Sequence, residues 1–182
     1  MGLSDCFGAF DYCTHDTVTQ AHEIPTKTVR LFSYYSLRSA TRLFHTSNRI
    51  GRGGFGVVYK GVLRDRTQVA IKALSAGSKQ GIKEFLTELA TISEIRHPNL
   101  VQLLGCCVEG DHRILVYEYM ENSSLHTALL GSYSKQAELD WSKRAAICLG
   151  TAKGLAFLHK DAEPGIVHRC WIISNRMKMN KK

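Results

Sequence analysis

The sequence predicts an α+β fold in which a five-stranded antiparallel sheet with one helix precedes an incomplete, mostly helical segment. Three observations lead to this prediction. A glycine-dense stretch at residues 51–56 separates two β-rich runs, an amphipathic helix follows the next strand, and two further apolar runs then meet at a turn. The order of strand, glycine loop, strand, helix and two strands is the basis for expecting one small sheet with a single packed helix.

The strands are predicted from short runs of β-branched and aromatic residues bounded by turn residues. The expected positions are Ile50 before the glycines, Val57–Tyr59 after them, Gln68–Ala73, Leu100–Cys107 and Arg113–Tyr119. Turns are expected at Arg64-Asp65-Arg66 and at Glu109-Gly110-Asp111, where polar residues interrupt the apolar runs.

The spacing of apolar residues predicts three helices. The clearest covers residues 79–96, and its apolar stripe is Ile82, Phe85, Leu86, Leu89, Ile92 and Ile95. Pro98 ends this helix, because proline disfavours the α conformation in the residue before it. A shorter pattern covers residues 32–44, with Ser36 as its expected cap. The third helix, at 140–159, has one stripe made of Trp141, Ala145, Cys148, Ala152, Leu155 and His159.

The chain of 182 residues is strongly basic, with a formal net charge of +8. The segment 176–182 supplies four positive charges, and the other lysines and arginines are scattered along the sequence. No basic stripe interleaved with aromatic residues is present, so nucleic acid is not an expected partner.

The six cysteines form no Cys-x-x-Cys pair and no His/Cys cluster with zinc spacing. No apolar run approaches the roughly 18 residues of a membrane-spanning helix, and the first residues do not have the pattern of a secretory signal. We therefore expect a cytoplasmic location with reduced thiols.

The N-terminal extension, residues 1–31, leaves two alternatives open. Gly2 approaches a myristoylation pattern, although Cys6 stands where serine or threonine is expected. Cys6 and Cys13 are also candidates for palmitoylation, and an acyl chain would give peripheral contact with the plasma membrane. A plain N-terminal tail accounts for the same residues equally well.

The glycine stretch has a chemical interpretation that depends on its context. Gly51, Gly53 and Gly56 form a Gly-x-Gly-x-x-Gly pattern, which by itself is weak evidence. A dinucleotide-binding loop would run into a helix, whereas this one runs into a strand at Val58, and the next strand contains Val-Ala-Ile-Lys ending at Lys72. This arrangement is the protein-kinase pattern, in which glycines allow the backbone to close over phosphates and the lysine supplies a positive charge.

Lys72 needs a partner to hold its ammonium in one position. Glu88 lies at the edge of the buried stripe of the helix at 79–96 and can face the sheet. Glu84 lies further from that edge and is the less favoured candidate. We predict an ion pair between Lys72 and Glu88, and we assign both residues to the catalytic site of a kinase.

From Phe32 to Arg169 the chain resembles a plant receptor-like serine/threonine kinase of the cytoplasmic kind. The motifs that carry the resemblance are Phe32-Ser33-Tyr34 with Ala40-Thr41, Ile50–Gly61, Val69–Lys72, His97–Val101 with Leu104-Gly105, Leu115–Met120, Leu139-Asp140-Trp141 with Arg144, Gly154–His159, and Ile166–Arg169. They span about three-quarters of the sequence and are specific in their order.

The resemblance implies a kinase small lobe that binds ATP in an adenine slot. Ile50, Val58 and Ala70 would form the roof of this slot. Tyr117 would be the gatekeeper at its back, and Glu118 and Met120 would offer backbone groups to adenine. The resemblance also implies magnesium as a cofactor and serine or threonine as the phosphorylated residue.

The resemblance fails at the catalytic loop. The family has His-Arg-Asp followed by asparagine five residues later, but here Cys170 occupies the position of the catalytic aspartate. Asn175 keeps the spacing of a magnesium ligand, although a single match is weak evidence. No Asp-Phe-Gly and no activation segment occur in the 182 residues. We therefore expect a kinase sequence truncated at the catalytic loop, with little or no phosphotransfer activity.

These expectations divide the chain into an N-terminal extension at 1–31, a small lobe with its preceding helix at 32–120, a partial large lobe at 121–169 and a divergent basic tail at 170–182. Three functional alternatives remain: a working ATP-dependent kinase, a nucleotide-binding or partner-binding pseudokinase fragment, and a truncation product without a selected role. The pseudokinase fragment would compete with full-length relatives for their partners, such as other kinases or signalling proteins. The missing catalytic groups favour the second over the first. The sequence does not separate the second from the third.

Overall fold

The computed structural model describes residues 29–53, 56–74, 79–121, 125, 139–163 and 165–166. The chain divides into two compact units. The first contains the residues up to Ile95 together with Gln102–Tyr119, and the second contains Arg96–Val101 and the residues from Met120 onward.

The first unit is built on one mixed sheet of six strands. The strands are β1 (Arg30–Leu31), β2 (Arg49–Gly53), β3 (Gly56–Val62), β4 (Gln68–Leu74), β5 (Leu103–Glu109) and β6 (His112–Glu118). Their order across the sheet is β1-β5-β6-β4-β3-β2. All neighbours are antiparallel except β1 and β5. The predicted α+β fold class is confirmed, and the sheet has one strand more than the five expected.

The additional strand, β1, is formed by residues that the sequence analysis placed in the N-terminal extension. It pairs in parallel with β5, with Arg30 opposite Gly105. The Phe32 N–H then donates a hydrogen bond of 2.8 Å to the Cys106 carbonyl. A Cβ atom at Gly105 would lie 2.2 Å from the Arg30 carbonyl oxygen, so glycine is required there for the strand to fit.

Two apolar clusters cover the two faces of the sheet. The inner face packs against helix α2 (Lys79–Ile92), whose Phe85 and Leu89 are fully buried. On the outer face, Leu37 of helix α1 (Tyr34–Ala40) is buried in a cluster with Val69 and other strand residues. Each face is therefore closed by one helix.

Helix α1 begins and ends differently from the prediction. Its cap is Ser33 instead of Ser36, and the Ser33 hydroxyl accepts a hydrogen bond of 3.2 Å from the Ser36 N–H. Beyond Ala40, three consecutive residues adopt the left-handed conformation, with φ values of 52° at Arg42, 62° at Leu43 and 54° at Phe44. A short 3₁₀ turn, Thr46–Asn48, then leads into β2.

The turns predicted between strands are present. The Asp65 carboxylate accepts a hydrogen bond of 2.9 Å from the Thr67 N–H and so shapes the β3–β4 turn. Gly110 joins β5 to β6 with a φ of 52°, a conformation that favours glycine. Helix α2 ends at Ile92, four residues earlier than the sequence indicates.

The described part of the second unit is organised around helix α3 (Trp141–Ala156), which continues as a π-helical turn at Phe157–Asp161. The Asp140 carboxylate caps the helix by accepting a hydrogen bond of 2.8 Å from the Lys143 N–H. The His97 and Phe157 rings stack with centroids 4.8 Å apart. The stripe predicted on this helix is mostly exposed, and the buried face carries Ile147, Gly154 and Leu158 instead.

None of the helices within these ranges has both the length and the hydropathy needed to cross a bilayer.

Candidate functional site

The candidate site lies on the inner face of the sheet, the face that α2 covers. Residues opposite each other on neighbouring antiparallel strands point to the same face. Val58 is paired with Lys72, and Ala70 is paired with Tyr117. Because Ala70 and Lys72 are two residues apart on β4, all four side chains belong to one face. The sheet therefore brings together two of the three predicted roof residues, the gatekeeper and the lysine.

The glycine loop spans the junction of β2 and β3. Gly51 and Gly53 lie on β2, and Gly56 opens β3, while residues 54–55 at the tip are outside the described ranges. Gly56 has a φ of 151°, and a Cβ atom on it would lie 2.3 Å from the Ala73 carbonyl oxygen. Any other residue would force β3 away from β4 at this point. The Gly56 position is thus a close backbone approach that only glycine permits.

Ile50, the third predicted roof residue, lies where the pairing of β2 with β3 is irregular. The register shifts between Arg49 and Gly51, so Ile50 has no paired partner on β3. Its side chain is 48% exposed, whereas that of Val58 is buried. Ile50 is therefore at the open edge of the candidate slot.

Lys72 and Glu88 form the ion pair that the sequence predicts. The Lys72 ammonium donates a hydrogen bond of 2.6 Å to Glu88 Oε2. Both side chains are largely buried, with 6% and 13% of their surfaces exposed. Phe85 and Leu89, buried on either side of Glu88 along α2, fix the helix against the sheet and so fix the carboxylate. Removing only one partner of such a buried ion pair strongly destabilises the protein, because the other charge is left buried without a partner.

Tyr117, the predicted gatekeeper, also joins the Lys72–Glu88 ion pair as a third member, which the sequence did not predict. Its hydroxyl donates a hydrogen bond to Glu88 Oε1, so the carboxylate binds Lys72 through one oxygen and Tyr117 through the other. Burial first, and then the negative charge of Glu88, raise the pKa of Tyr117 well above its ordinary value of 10.0. The phenol is therefore a fixed neutral donor. Only the three-dimensional pairing of β4 with β6 places it beside α2, which is why residue spacing gave no signal for it.

The candidate hinge follows β6. The Glu118 N–H donates to the Gln102 carbonyl at 3.1 Å, and the Glu118 carboxylate accepts from the Gln102 N–H at 2.9 Å. These two bonds hold the end of β6 against the start of β5. Met120, two residues after β6, belongs to the second unit.

The remaining predicted site residues, Cys170 and Asn175, lie outside the described residues. Within the described ranges, no group of three or more histidine, cysteine, aspartate or glutamate side chains is arranged to hold a metal. These residues therefore do not by themselves provide the magnesium site that the resemblance implies. They do fit a nucleotide, because a fixed ammonium lies on the same sheet face as Val58, Ala70 and Tyr117, beside a backbone approach that a Cβ would block.

A glycine loop that runs into a strand, followed by a strand lysine paired to a helix glutamate, defines a kinase-type small lobe. The family model for protein tyrosine and serine/threonine kinases matches residues 44–177. The chain therefore belongs to the protein kinase family. The match includes the positions of Cys170 and Asn175.

Curated relatives include protein kinases of Arabidopsis thaliana. Cold-responsive protein kinase 1 is 58% identical over 143 residues, which make up 78% of this chain and 37% of that protein. A G-type lectin S-receptor-like serine/threonine-protein kinase is 45% identical over 166 residues, or 90% of this chain and 21% of that protein. The resemblance to receptor-like serine/threonine kinases is thus confirmed, and the chain spans well under half the length of these relatives.

Among solved structures, the chain is similar to the pseudokinase domain of BIR2, described as an immune regulator of the RLK/Pelle family. The TM-score is 0.59 at 44% identity, and the match covers 74% of this chain and 42% of that one. The catalytic and nucleotide-binding roles assigned to individual residues remain predictions.

Proposed function

We propose that residues 32–120 form a nucleotide-binding kinase small lobe that holds ATP, and that the 182-residue chain transfers little or no phosphate. The observation that carries the proposal is the assembled Lys72–Glu88–Tyr117 cluster. In kinases an ion pair of this type places the lysine against the α- and β-phosphates. Because Glu88 holds the Lys72 ammonium in one position, that positive charge would face the phosphates of a bound nucleotide.

The nucleotide would be held by groups on three elements. The backbone of the glycine loop would approach the phosphates, with Gly51, Gly53 and Gly56 leaving room for them. Val58, Ala70 and Ile50 would cover the adenine. Backbone groups of Glu118 and Met120 would bind its edge, and Tyr117 would close the back of the slot. When bound, ATP would supply the transferable phosphoryl group.

Phosphotransfer is not expected from these residues because Cys170 stands in the position of the catalytic base. A thiol near neutral pH is mostly protonated and lacks the second oxygen of a carboxylate. No Asp-Phe-Gly occurs among the 182 residues to bind magnesium.

The similarity to a pseudokinase domain supports a second candidate function, in which this fold binds a signalling protein without catalysis. N-terminal acylation at Gly2 or Cys6, with peripheral membrane contact, stays a prediction that concerns residues outside the described ranges.

Nucleotide binding can be tested by equilibrium dialysis with labelled ATP. The variant Lys72→Met should lower the affinity about 10- to 100-fold, because one charge-assisted hydrogen bond to phosphate is lost. The matched control is Lys83→Met, which removes an exposed lysine of α2 and should leave the affinity unchanged.

Lys72→Met leaves Glu88 buried without its ammonium partner, so the single variant can unfold. The double variant Lys72→Met/Glu88→Gln removes both charges at nearly constant volume, and thermal unfolding should show a folded protein. Loss of ATP binding in this folded double variant would support the proposal. Unchanged ATP binding in it would show that the nucleotide site lies elsewhere.

A further inference from the structure

The positive charge of the chain is concentrated in residues 29–74. This stretch contains nine lysines and arginines but only one acidic residue, Asp65. Lys72 is buried in the ion pair, whereas all seven arginines of the stretch are exposed. A kinase site accounts for Lys72 and leaves the arginines without an assigned role.

The seven arginines lie on or around the outer face of the sheet, opposite the nucleotide site, and one of them, Arg52, belongs to the glycine loop. We call the other six the arginine face: Arg30, Arg38, Arg42, Arg49, Arg64 and Arg66. Helix α1 packs on this face through buried Leu37, so the exposed side chain of Arg38 points away from the sheet. Arg42 is exposed in the left-handed turn that follows the same helix.

The other four arginines are placed by their neighbours. The Arg30 guanidinium lies 4.6 Å from the centre of the Phe32 ring, which is part of the outer cluster. Arg64 and Arg66 flank Asp65 in the β3–β4 turn, directly after Leu63, which is a buried member of the outer cluster. Arg49 pairs with Tyr59, whose ring contacts the Phe44 ring at a centroid distance of 5.3 Å.

Few carboxylates offset this charge. Asp65 lies in the β3–β4 turn, and Glu109 and Asp111 lie at the β5–β6 turn, where Arg113 is also present. Two large apolar side chains are exposed among the arginines: Tyr35 at 67% and Leu43 at 66%. The arginine face draws its residues from β1, from α1 and the turn after it, from β2 and from the β3–β4 turn, so its charge is spread over several elements. A broad cationic surface with exposed Tyr and Leu matches a plane of anionic headgroups better than it matches an extended peptide, which needs a groove.

We propose that the arginine face binds an anionic membrane surface. Each arginine near such a surface adds a small electrostatic attraction, and Leu43 and Tyr35 can enter the headgroup region. Since Val58 and Lys72 lie on the opposite face of the sheet, the bound small lobe would turn its nucleotide site away from the bilayer. This binding needs neither ATP nor an acyl chain.

Flotation of the unacylated 182-residue protein with vesicles tests the proposal. Vesicles of phosphatidylcholine alone are compared with vesicles that also contain phosphatidylserine. The protein should float only with the second kind and should be released at high salt, because screening weakens attraction between exposed charges. The triple variant Arg38→Gln/Arg42→Gln/Arg64→Gln should bind on the order of 100-fold more weakly.

The matched control is Lys178→Gln/Lys181→Gln/Lys182→Gln, which removes the same charge from the basic tail and should bind like the parent protein. Thermal unfolding of both triple variants checks that each is folded. Equal flotation of the arginine variant and the parent would overturn the proposal, as would loss of flotation only in the tail variant. If the parent ignores the vesicles but binds soluble polyglutamate through the same arginines, the partner is an acidic protein and the membrane proposal is wrong.

Discussion

The Glu88 carboxylate receives hydrogen bonds from two sides, from the Lys72 ammonium and from the Tyr117 hydroxyl. The sequence predicts the first bond because Glu88 lies at the edge of an apolar helical stripe. It does not predict the second, because Tyr117 meets α2 only after β6 has paired with β4. At the scale of residues, local spacing therefore found the ion pair and missed the phenol that orients it.

The Tyr117 hydroxyl gives the stability of the protein a specific pH dependence. Its pKa is near 10 in the unfolded chain and higher in the folded protein, through burial and the charge of Glu88. The stability that the Tyr117 hydroxyl contributes to the folded protein is therefore fully present below about pH 10, and it is lost as the pH rises through the pKa of the folded state. When the free energy of unfolding is measured with urea between about pH 9 and 11, it should fall less steeply with pH for Tyr117→Phe than for the parent protein. The control Tyr35→Phe changes an exposed tyrosine and should follow the parent, and parallel slopes for all three proteins would contradict this interpretation.

Leu43 adopts a backbone conformation that suits asparagine or glycine better than leucine. Its φ of 62° lies in the left-handed region, which costs an ordinary residue roughly 1–2 kcal/mol. Since the side chain is 66% exposed, Leu43→Asn sacrifices little packing and should raise the free energy of unfolding by about 1 kcal/mol. Chemical denaturation measures the change. Leu149→Asn, at a 58% exposed leucine within α3, is the control and should not stabilise; a destabilised Leu43→Asn protein would show that the turn is not strained.

At the scale of elements, strand β1 shows where sequence patterns are insufficient. It has two residues and pairs in parallel with a strand more than 70 positions away, so no local period indicates it. Strands β3 to β6 and helix α2 were predictable, since each has its own apolar pattern, whereas β2 was indicated only by Ile50 before the glycine loop. Helix α1 was predictable, but the left-handed turn that follows it was not, because residues 42–44 contain no glycine to indicate the change in backbone conformation.

Gly105 should be the most sensitive position for the attachment of β1. A methyl group there would clash with the Arg30 carbonyl and with the Phe32 ring, the nearest atom of which would be 2.6 Å away. We expect Gly105→Ala to destabilise the protein by about 1–3 kcal/mol, as overpacking of a core does. Hydrogen exchange should increase at Phe32, whose N–H bonds to Cys106. For comparison, Gly110→Asn introduces a side chain where nothing lies within 4 Å and should be tolerated; equal stability of both variants would mean that β1 is not held over Gly105.

At the scale of the whole molecule, the sequence motifs carried the family assignment further than composition could. The net charge of +8 is compatible with scattered lysines and a basic tail, but nine of the basic residues fall within 29–74, and only the fold reveals that six arginines lie around one face of the sheet. The motifs Gly51–Gly56 and Val69–Lys72 are local, so they were readable without a structure. The arrangement of charges on a surface depends on how α1 packs across the sheet, and local sequence motifs do not predict that packing.

We propose that the 182 residues hold ATP through Lys72 without transferring its phosphate. The most direct measurement incubates the purified chain with magnesium and γ-labelled ATP, then denatures it and separates protein, ATP and free phosphate. We expect the bound label to be recovered as intact ATP, Lys72→Met/Glu88→Gln to retain none, and Cys170→Asp alone not to convert ATP binding into transfer. Label incorporated covalently into the protein, dependent on Lys72, or the absence of any ATP bound by the parent chain would contradict this proposal.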